Sequence, residues 1–419
     1  MIKTAPIATV ERIDVLDAVR GVAVLGILLI NVNALSGFAF IPPTNVAGSR
    51  FDGSVFFVLS WLIEGKFYAL FSFLFGVGFA VFVQRAAARG AEPAQLFKRR
   101  LIGLLLIGFI HTFFIWMGDI LLTYAVLGFG LVPFLKKSDR TVIRWAVTML
   151  LLPIALYAVL LGVLAVLGTT QLAAAPASGT ESGLPPVLAD AVEKFIHGGY
   201  FAIVQGNVAF TAANVVRRFI LMFFPRVFGM FLLGFYVGRR RMFADLGAHR
   251  PLIMRTLVVG TTIGLPLAFV GARLEGGAFP AANVRGLMET TVKSVSIPAL
   301  ALGYAAALCL VFQRAPALMR ALAPVGRMAL TNYLMHSFIG TAVFYGIGFG
   351  QFGKTSLTFA VAGGFAVYLL QIVLSRIWLT YAAFGPAEWI WRMLTYRTRM
   401  SIWGQTGVRP RSGPGLTPV

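Results

Sequence analysis

From Gly21 to Phe40 the chain carries no charged side chain, and comparable stretches recur along its length. About 20 consecutive apolar residues cross a hydrocarbon core as a helix. Lipid offers the backbone no water, so a crossing segment must satisfy its own hydrogen bonds. Continuous apolar runs, in place of the alternation of a barrel strand, select helices for that task. The chain of 419 residues is only 12% charged, about half the share of a soluble domain. These features dictate an all-α fold, a polytopic integral membrane helix bundle.

The apolar runs fall near 21–40, 55–83, 100–133 (two limbs), 145–167, up to 238, 252–271, 287–312, 328–347 and 357–380. The 55–83 run is interrupted by Glu64, Gly65 and Lys66, which fits a tilted helix or an interfacial piece plus a helix. Basic residues cluster in alternate connections, 85–100, 136–144, 239–255 and 314–327. Lys and Arg in short loops stay on the cytoplasmic side. The expectation is therefore about ten transmembrane helices in a cell (plasma or inner) membrane, with both termini cytoplasmic. The chain divides into a cytoplasmic lead 1–18, a transmembrane domain 19–383 with an external loop 169–214, an interfacial amphipathic helix 384–400 and a flexible cytoplasmic tail 401–419. Glu11, Asp14 and Asp17 precede the first run, unlike the basic start of a cleavable leader, so that run is expected to be retained.

A net charge of +21 would suit a nucleic acid if it formed one patch. Here it is spread between apolar runs, so membrane lipid is the expected partner and nucleic acid is not. The single cysteine, Cys309, excludes a disulfide framework and a cysteine-based metal site. With two histidines inside apolar runs and no ligand spacing around them, no metal is expected.

Residues 100–133 are the most informative stretch. Two apolar limbs meet at Gly118-Asp119, and His111, Trp116 and Asp119 lie among them. An ionisable group inside a bilayer costs a few kcal/mol, which makes it a functional hypothesis by default. Arg20 precedes Asn31, Arg100 precedes His111 and Arg327 precedes His336 by similar spacings. At 1.5 Å per residue the three polar groups lie roughly 14–17 Å deep, so they can converge on one site. The plainer alternative is three separate interhelical hydrogen bonds.

His111 is the candidate general base, since a neutral imidazole can take and return a proton near neutral pH. Straight helix would carry Asp119 roughly 12 Å along the axis from His111. No direct bond between them is expected; Asp119 and Trp116 are placed at the external mouth, where they contact an acceptor. Asn332, Tyr333 and His336 share one short segment, with Asn332 and His336 on one helix face. Arg20, Arg100 and Arg327 are candidates for phosphate recognition, against the plainer reading as topology signals and lipid contacts.

The segments RIDVLDAVRGVAVLGILLINV (12–32), FYALFSFLFGVGFA (67–80) and RRLIGLLLIGFIHTFFIWMGDILLTYAVLG (99–128) carry a resemblance to a known family. GMFLLGFYVGR (229–239), VGRMALTNYLMHS (325–337) and FGPAEWIWRMLTY (384–396) extend it over nearly the whole chain. The sequence resembles the YeiB-like membrane protein family (domain of unknown function 418). That family is similar to the transmembrane acyltransferase superfamily, whose members include acyltransferase-3 O-acetylases and the lysosomal heparan glucosaminide acetylase. The resemblance implies transfer of an acyl group, acetyl in those members, from cytoplasmic acyl-CoA as co-substrate to a hydroxyl or amine acceptor on the external side. The O-acetylases place a histidine eleven residues after the first-span arginine, where this chain has Asn31. The glucosaminide branch uses a histidine in the following loop, and residues 33–54 contain none. In this chain the catalytic role is therefore expected at His111, helped by Asn31 and His336. A transporter or channel for a small solute, with the same polar groups as its mid-membrane site, is the alternative.

Overall fold

The computed structural model describes residues 13–41, 49–167, 184–214, 223–275 and 283–403. Most of the lead, the first part of the 169–214 connection and nearly all of the tail lie outside the described residues. Among the described residues the chain is helical, with a lone bridge between Ala382 and Trp403. In chain order the helices are α1 (Asp14–Leu35), α2 (Asp52–Val58), α3 (Lys66–Ala88), α4 (Pro93–Phe114) and α5 (Leu121–Phe129). They continue with α6 (Asp139–Val166), α7 (Pro186–His197), α8 (Tyr200–Asn214), α9 (Phe224–Arg239) and α10 (Arg250–Leu274). The last five are α11 (Val284–Arg314), α12 (Pro316–Arg327), α13 (Ala329–Phe344), α14 (Leu357–Tyr381) and α15 (Pro386–Tyr396).

Six helical stretches among the described residues are long and apolar enough to cross a membrane: α1, Asp52–Ala88, α6, α10, α11 and α14. Outward-facing positions are apolar; Val159 on α6 and Leu369 on α14 are both more than 60% exposed. The interior holds His111, Asp119, Asn332, His336, Gln371 and Glu289. This inversion of the soluble pattern is what lipid as solvent requires.

The 55–83 run resolves into two helices. A π turn, Leu59–Ile63, follows α2, and the path bends at Gly65 before α3. Gly65 sits at φ +80°, and a Cβ there would press on Ile297. Only glycine meets both demands without strain.

Central helix α1 packs against α3, α12, α13 and α14. Its crossing with α12 brings backbones together: a Cβ on Gly21 would strike the Leu322 carbonyl, and one on Gly326 the Asp17 carbonyl. A second reciprocal pair sits between α3 and α9, where Gly76 abuts Phe231 and Gly234 abuts the Phe73 carbonyl. In lipid, where apolar side chains gain little by leaving the solvent, close backbone approach through small residues supplies the packing energy.

The hairpin of α4 and α5 differs from its expected form. Helix α4 ends at Phe114, residues 115–120 are not helical, and α5 has nine residues. At 1.5 Å per residue that second limb spans about 14 Å, half the thickness of a hydrocarbon core. The later part of the 169–214 connection forms two helices, α7 and α8, parted by Gly198 and Gly199. Side chains from α8 satisfy the open end of α4: Asn207 donates to the Phe113 carbonyl (3.3 Å) and Tyr200 to that of Phe114 (3.1 Å).

Candidate functional site

The break after α4 builds the site. The His111 carbonyl accepts the N–H groups of both Ile115 (3.1 Å) and Trp116 (2.8 Å), which ends the helix. The chain then folds back over Gly118, where a Cβ would collide with the Trp116 ring. This turn returns Asp119 to His111, with Asp119 Oδ1 2.7 Å from His111 Nδ1. The expected separation along a straight axis is thereby overturned, because the helix does not continue. Asp119 Oδ2 accepts the Leu122 N–H at 2.6 Å. That bond satisfies an open donor in the first turn of α5, where a carboxylate is also favoured by the helix dipole.

The other imidazole nitrogen, His111 Nε2, is 2.8 Å from Ser337 Oγ on α13. All three side chains are buried, His111 completely. A carboxylate can only accept, so Nδ1–H donates to Asp119 and Nε2 is left to accept the Ser337 hydroxyl proton. The set has the connectivity of a carboxylate–imidazole–hydroxyl relay, which is recognised by geometry and not by order in the chain.

Tyr333, one turn before Ser337 on α13, stands beside this relay, its ring centroid 5.2 Å from that of His111. Its hydroxyl accepts the Ile120 N–H (3.2 Å) and donates to the Gly118 carbonyl (3.3 Å). On its far side Tyr333 lines a cavity of about 280 Å³. The inner wall of this cavity is apolar, with Ile27, Phe71, Phe75, Leu104, Leu121 and Tyr124. Its rim carries five arginines, Arg20, Arg85, Arg100, Arg327 and Arg392, against the carboxylates of Asp17 and Glu388. The three arginines singled out in the sequence thus border one space. Arg20 is paired with Asp17 at 2.8 Å. The Arg100 guanidinium lies 3.7 Å from the Trp391 ring centroid, a cation–π contact that fixes its plane.

The rim depends on α15, whose Trp391 N–H donates to the Arg100 carbonyl at 2.7 Å. Glu388 accepts the backbone N–H groups of Leu330 (2.7 Å) and Thr331 (3.2 Å) and the Thr331 hydroxyl (2.6 Å). A carboxylate from another helix therefore caps the start of α13, where the chain restarts after the bend at Met328. Burial raises the Glu388 carboxyl above its usual range, while these hydrogen bonds pull it the other way. Through Glu388, Trp391 and Arg392, α15 also lines the cavity.

The remaining sequence-derived residues sit apart from the relay. His336 Nε2 is 2.8 Å from Gln371 Oε1, and Asn332 Nδ2 donates to Ser375 Oγ (3.0 Å) and to the Val325 carbonyl (3.2 Å). Both residues knit α13 to α14. Successive helical residues point about 100° apart, so Ser337 faces α4 and His336 does not. Asn31 is half-buried and makes no side-chain hydrogen bond among the described residues. The three polar groups expected at equal depth are therefore not joined to one another by hydrogen bonds among the described residues. Trp116 is buried in one apolar cluster with Met117 and with Phe195 of α7, and Asp119 is buried as well, so neither side chain is open to solvent.

Read from the sequence alone, Ser337 is expected to satisfy a backbone carbonyl and not to be a nucleophile, and Glu388 is not singled out at all. Helical spacing from Tyr333 marks Ser337, and Glu388 is the sole acidic residue of its segment, but only folding supplies their partners.

A family model described as "Protein of unknown function (DUF418)" matches residues 237–398, the stretch holding α13 and α15. The uncharacterized protein YxaH of Bacillus subtilis (strain 168) is 33% identical over 424 aligned residues, covering 96% of this chain and 99% of its own length. The uncharacterized protein YeiB of Escherichia coli (strain K12) is 33% identical over 401 residues, covering 92% and 97%. An uncharacterized 39.9 kDa protein of Bacillus acidopullulyticus is 30% identical over 420 residues, covering 95% of this chain and 97% of its own length.

Proposed function

This chain belongs to the YeiB-like family of DUF418 membrane proteins, and on that footing we propose that it is a membrane-bound acyltransferase drawing on cytoplasmic acyl-CoA. In this reading it crosses the inner membrane about ten times with both termini in the cytoplasm, and α4, α9, α13 and the segment running from α5 through the turn Val132–Lys136 supply the crossings beyond the six stretches above. The arginine rim then faces the cytoplasm. Phosphates of the donor rest against Arg20, Arg100 and Arg327, and the acyl-pantetheine arm enters the apolar inner part toward Tyr333. His111 acts as general base, and its imidazolium is stabilised by Asp119. Asn31 continues the α1 face of Val24 and Ile27 and meets the hydroxyl or amine acceptor, which arrives from the external side. His336 is engaged by Gln371 and the Tyr333 hydroxyl by Gly118 and Ile120, so oxyanion stabilisation falls to Asn31.

One observation carries the proposal: a cavity rimmed by arginines and walled by aromatic and aliphatic side chains ends one ring away from a buried carboxylate–imidazole–hydroxyl set. Such a space matches a donor with an anionic head and a thin, mostly apolar arm. The test uses the purified full-length protein with radiolabelled acetyl-CoA and a panel of hydroxyl and amine acceptors. Saturable binding and label transfer are expected, with His111→Ala abolishing transfer and sparing binding. Absence of thioester binding, together with solute flux in proteoliposomes, would overturn this reading in favour of a transporter.

A further inference from the structure

We infer that Ser337 is a covalent nucleophile, so that the acyl group passes through an ester on this chain before it reaches the acceptor. The inference rests on the acyl-donor reading for its substrate and on the hydrogen-bond geometry for its residue.

Both nitrogens of His111 are already engaged. Nδ1 belongs to Asp119 at 2.7 Å and Nε2 to Ser337 at 2.8 Å. An acceptor using His111 directly as its base would have to displace Ser337 from a site where the serine is 1% exposed. Attack by Ser337 itself needs no displacement, because its proton already points along the path to Nε2. A hydroxyl is a weak nucleophile until an adjacent base takes its proton, and a base is reliable when a third group holds its orientation. Asp119 is held in turn by the Leu122 N–H, so the set is rigid at both ends.

The steps balance without any further reagent. Ser337 Oγ attacks the thioester carbonyl carbon as its proton moves to His111 Nε2. The C–S bond breaks, and the departing CoA sulfur takes that proton, leaving free CoA and an acyl ester on Ser337. In the second half the acceptor hydroxyl or amine attacks the ester carbonyl and gives its proton to Nε2. The C–Oγ bond breaks and Ser337 recovers its proton. Tyr333, the partition between cavity and relay, must swing aside for the thioester to arrive.

The experiment treats the purified full-length protein, without acceptor, with labelled acetyl-CoA and separately with a fluorophosphonate, a probe of activated serines. Expected are a hydroxylamine-labile acetyl group and a fluorophosphonate adduct, both on the peptide containing Ser337. Ser337→Ala should lose both labels and slow transfer by about 10²–10⁴-fold, while eluting as the same monodisperse species. Ser337→Cys should retain acetylation as a thioester, which separates chemistry from misfolding. Transfer that continues at the wild-type rate in Ser337→Ala, or a peptide free of both labels, overturns the inference. Fluorophosphonate labelling of Ser337 without acetyl-CoA turnover upholds the nucleophile and removes the acyl-CoA donor.

Discussion

His111 and Asp119 are eight positions apart in the chain and 2.7 Å apart in space, on opposite sides of a turn that ends one helix and starts the next. The same carboxylate orients the imidazole and caps α5. The geometry of the relay and local folding thus share one side chain.

Asp119→Asn keeps the shape of that side chain but changes what it can accept and donate. An amide that turns its NH₂ toward Nδ1 forces the imidazole proton onto Nε2, where it opposes Ser337. Transfer is expected to fall by about 10²–10⁴-fold, with little change in donor affinity. Paired measurement of kcat and the dissociation constant for acetyl-CoA checks this. An equal loss in binding would refute it.

Arginine truncation at the rim acts on affinity. Arg327→Ala or Arg20→Ala each removes a charge-assisted contact worth about 1.5–3 kcal/mol, roughly 10- to 150-fold in affinity for CoA. Lysine at these positions recovers the charge and loses the planar fork. Titration of CoA at low and high salt should show the wild-type advantage shrinking as ions screen the exposed part of the rim.

Gly234→Ala tests the α3–α9 crossing. The added methyl meets the Phe73 carbonyl, and neither backbone can yield without moving a helix. A loss of about 1–3 kcal/mol is expected from overpacking, read as a lower melting temperature in detergent. Gly162→Ala is the control, since a Cβ there meets nothing.

Glu388 links stability to pH. Its carboxyl is raised above the usual range in the folded chain, so the folded state holds that proton more tightly than the unfolded state. Its contribution is complete below the unfolded value of about 4.3 and is lost as pH rises through the folded one. Thermal unfolding followed from acid to neutral pH should show wild type losing stability relative to Glu388→Gln. Parallel curves would exclude the link.

Membrane residence was legible in the sequence because long apolar runs have one physical outlet. The approximate positions of α1, α6, α10, α11 and α14 followed from the same runs, and the glycine at 76 sits where α3 meets Phe231 of α9. Arg20, Arg100 and Arg327 were also legible as a group, and all three line one cavity.

The relay was not legible, and for a definite reason. Helical spacing ranks neighbours only while the helix lasts, and α4 stops between His111 and Asp119. Ser337 and Glu388 reach their partners across hundreds and tens of residues, respectively, at distances that no periodicity encodes. Sequence alone determined the solvent this protein folds in, because long apolar runs are a matter of composition along one helix. Which of its polar groups touch was decided by the turn at Gly118 and by the rotation of α13, which only the packed bundle sets.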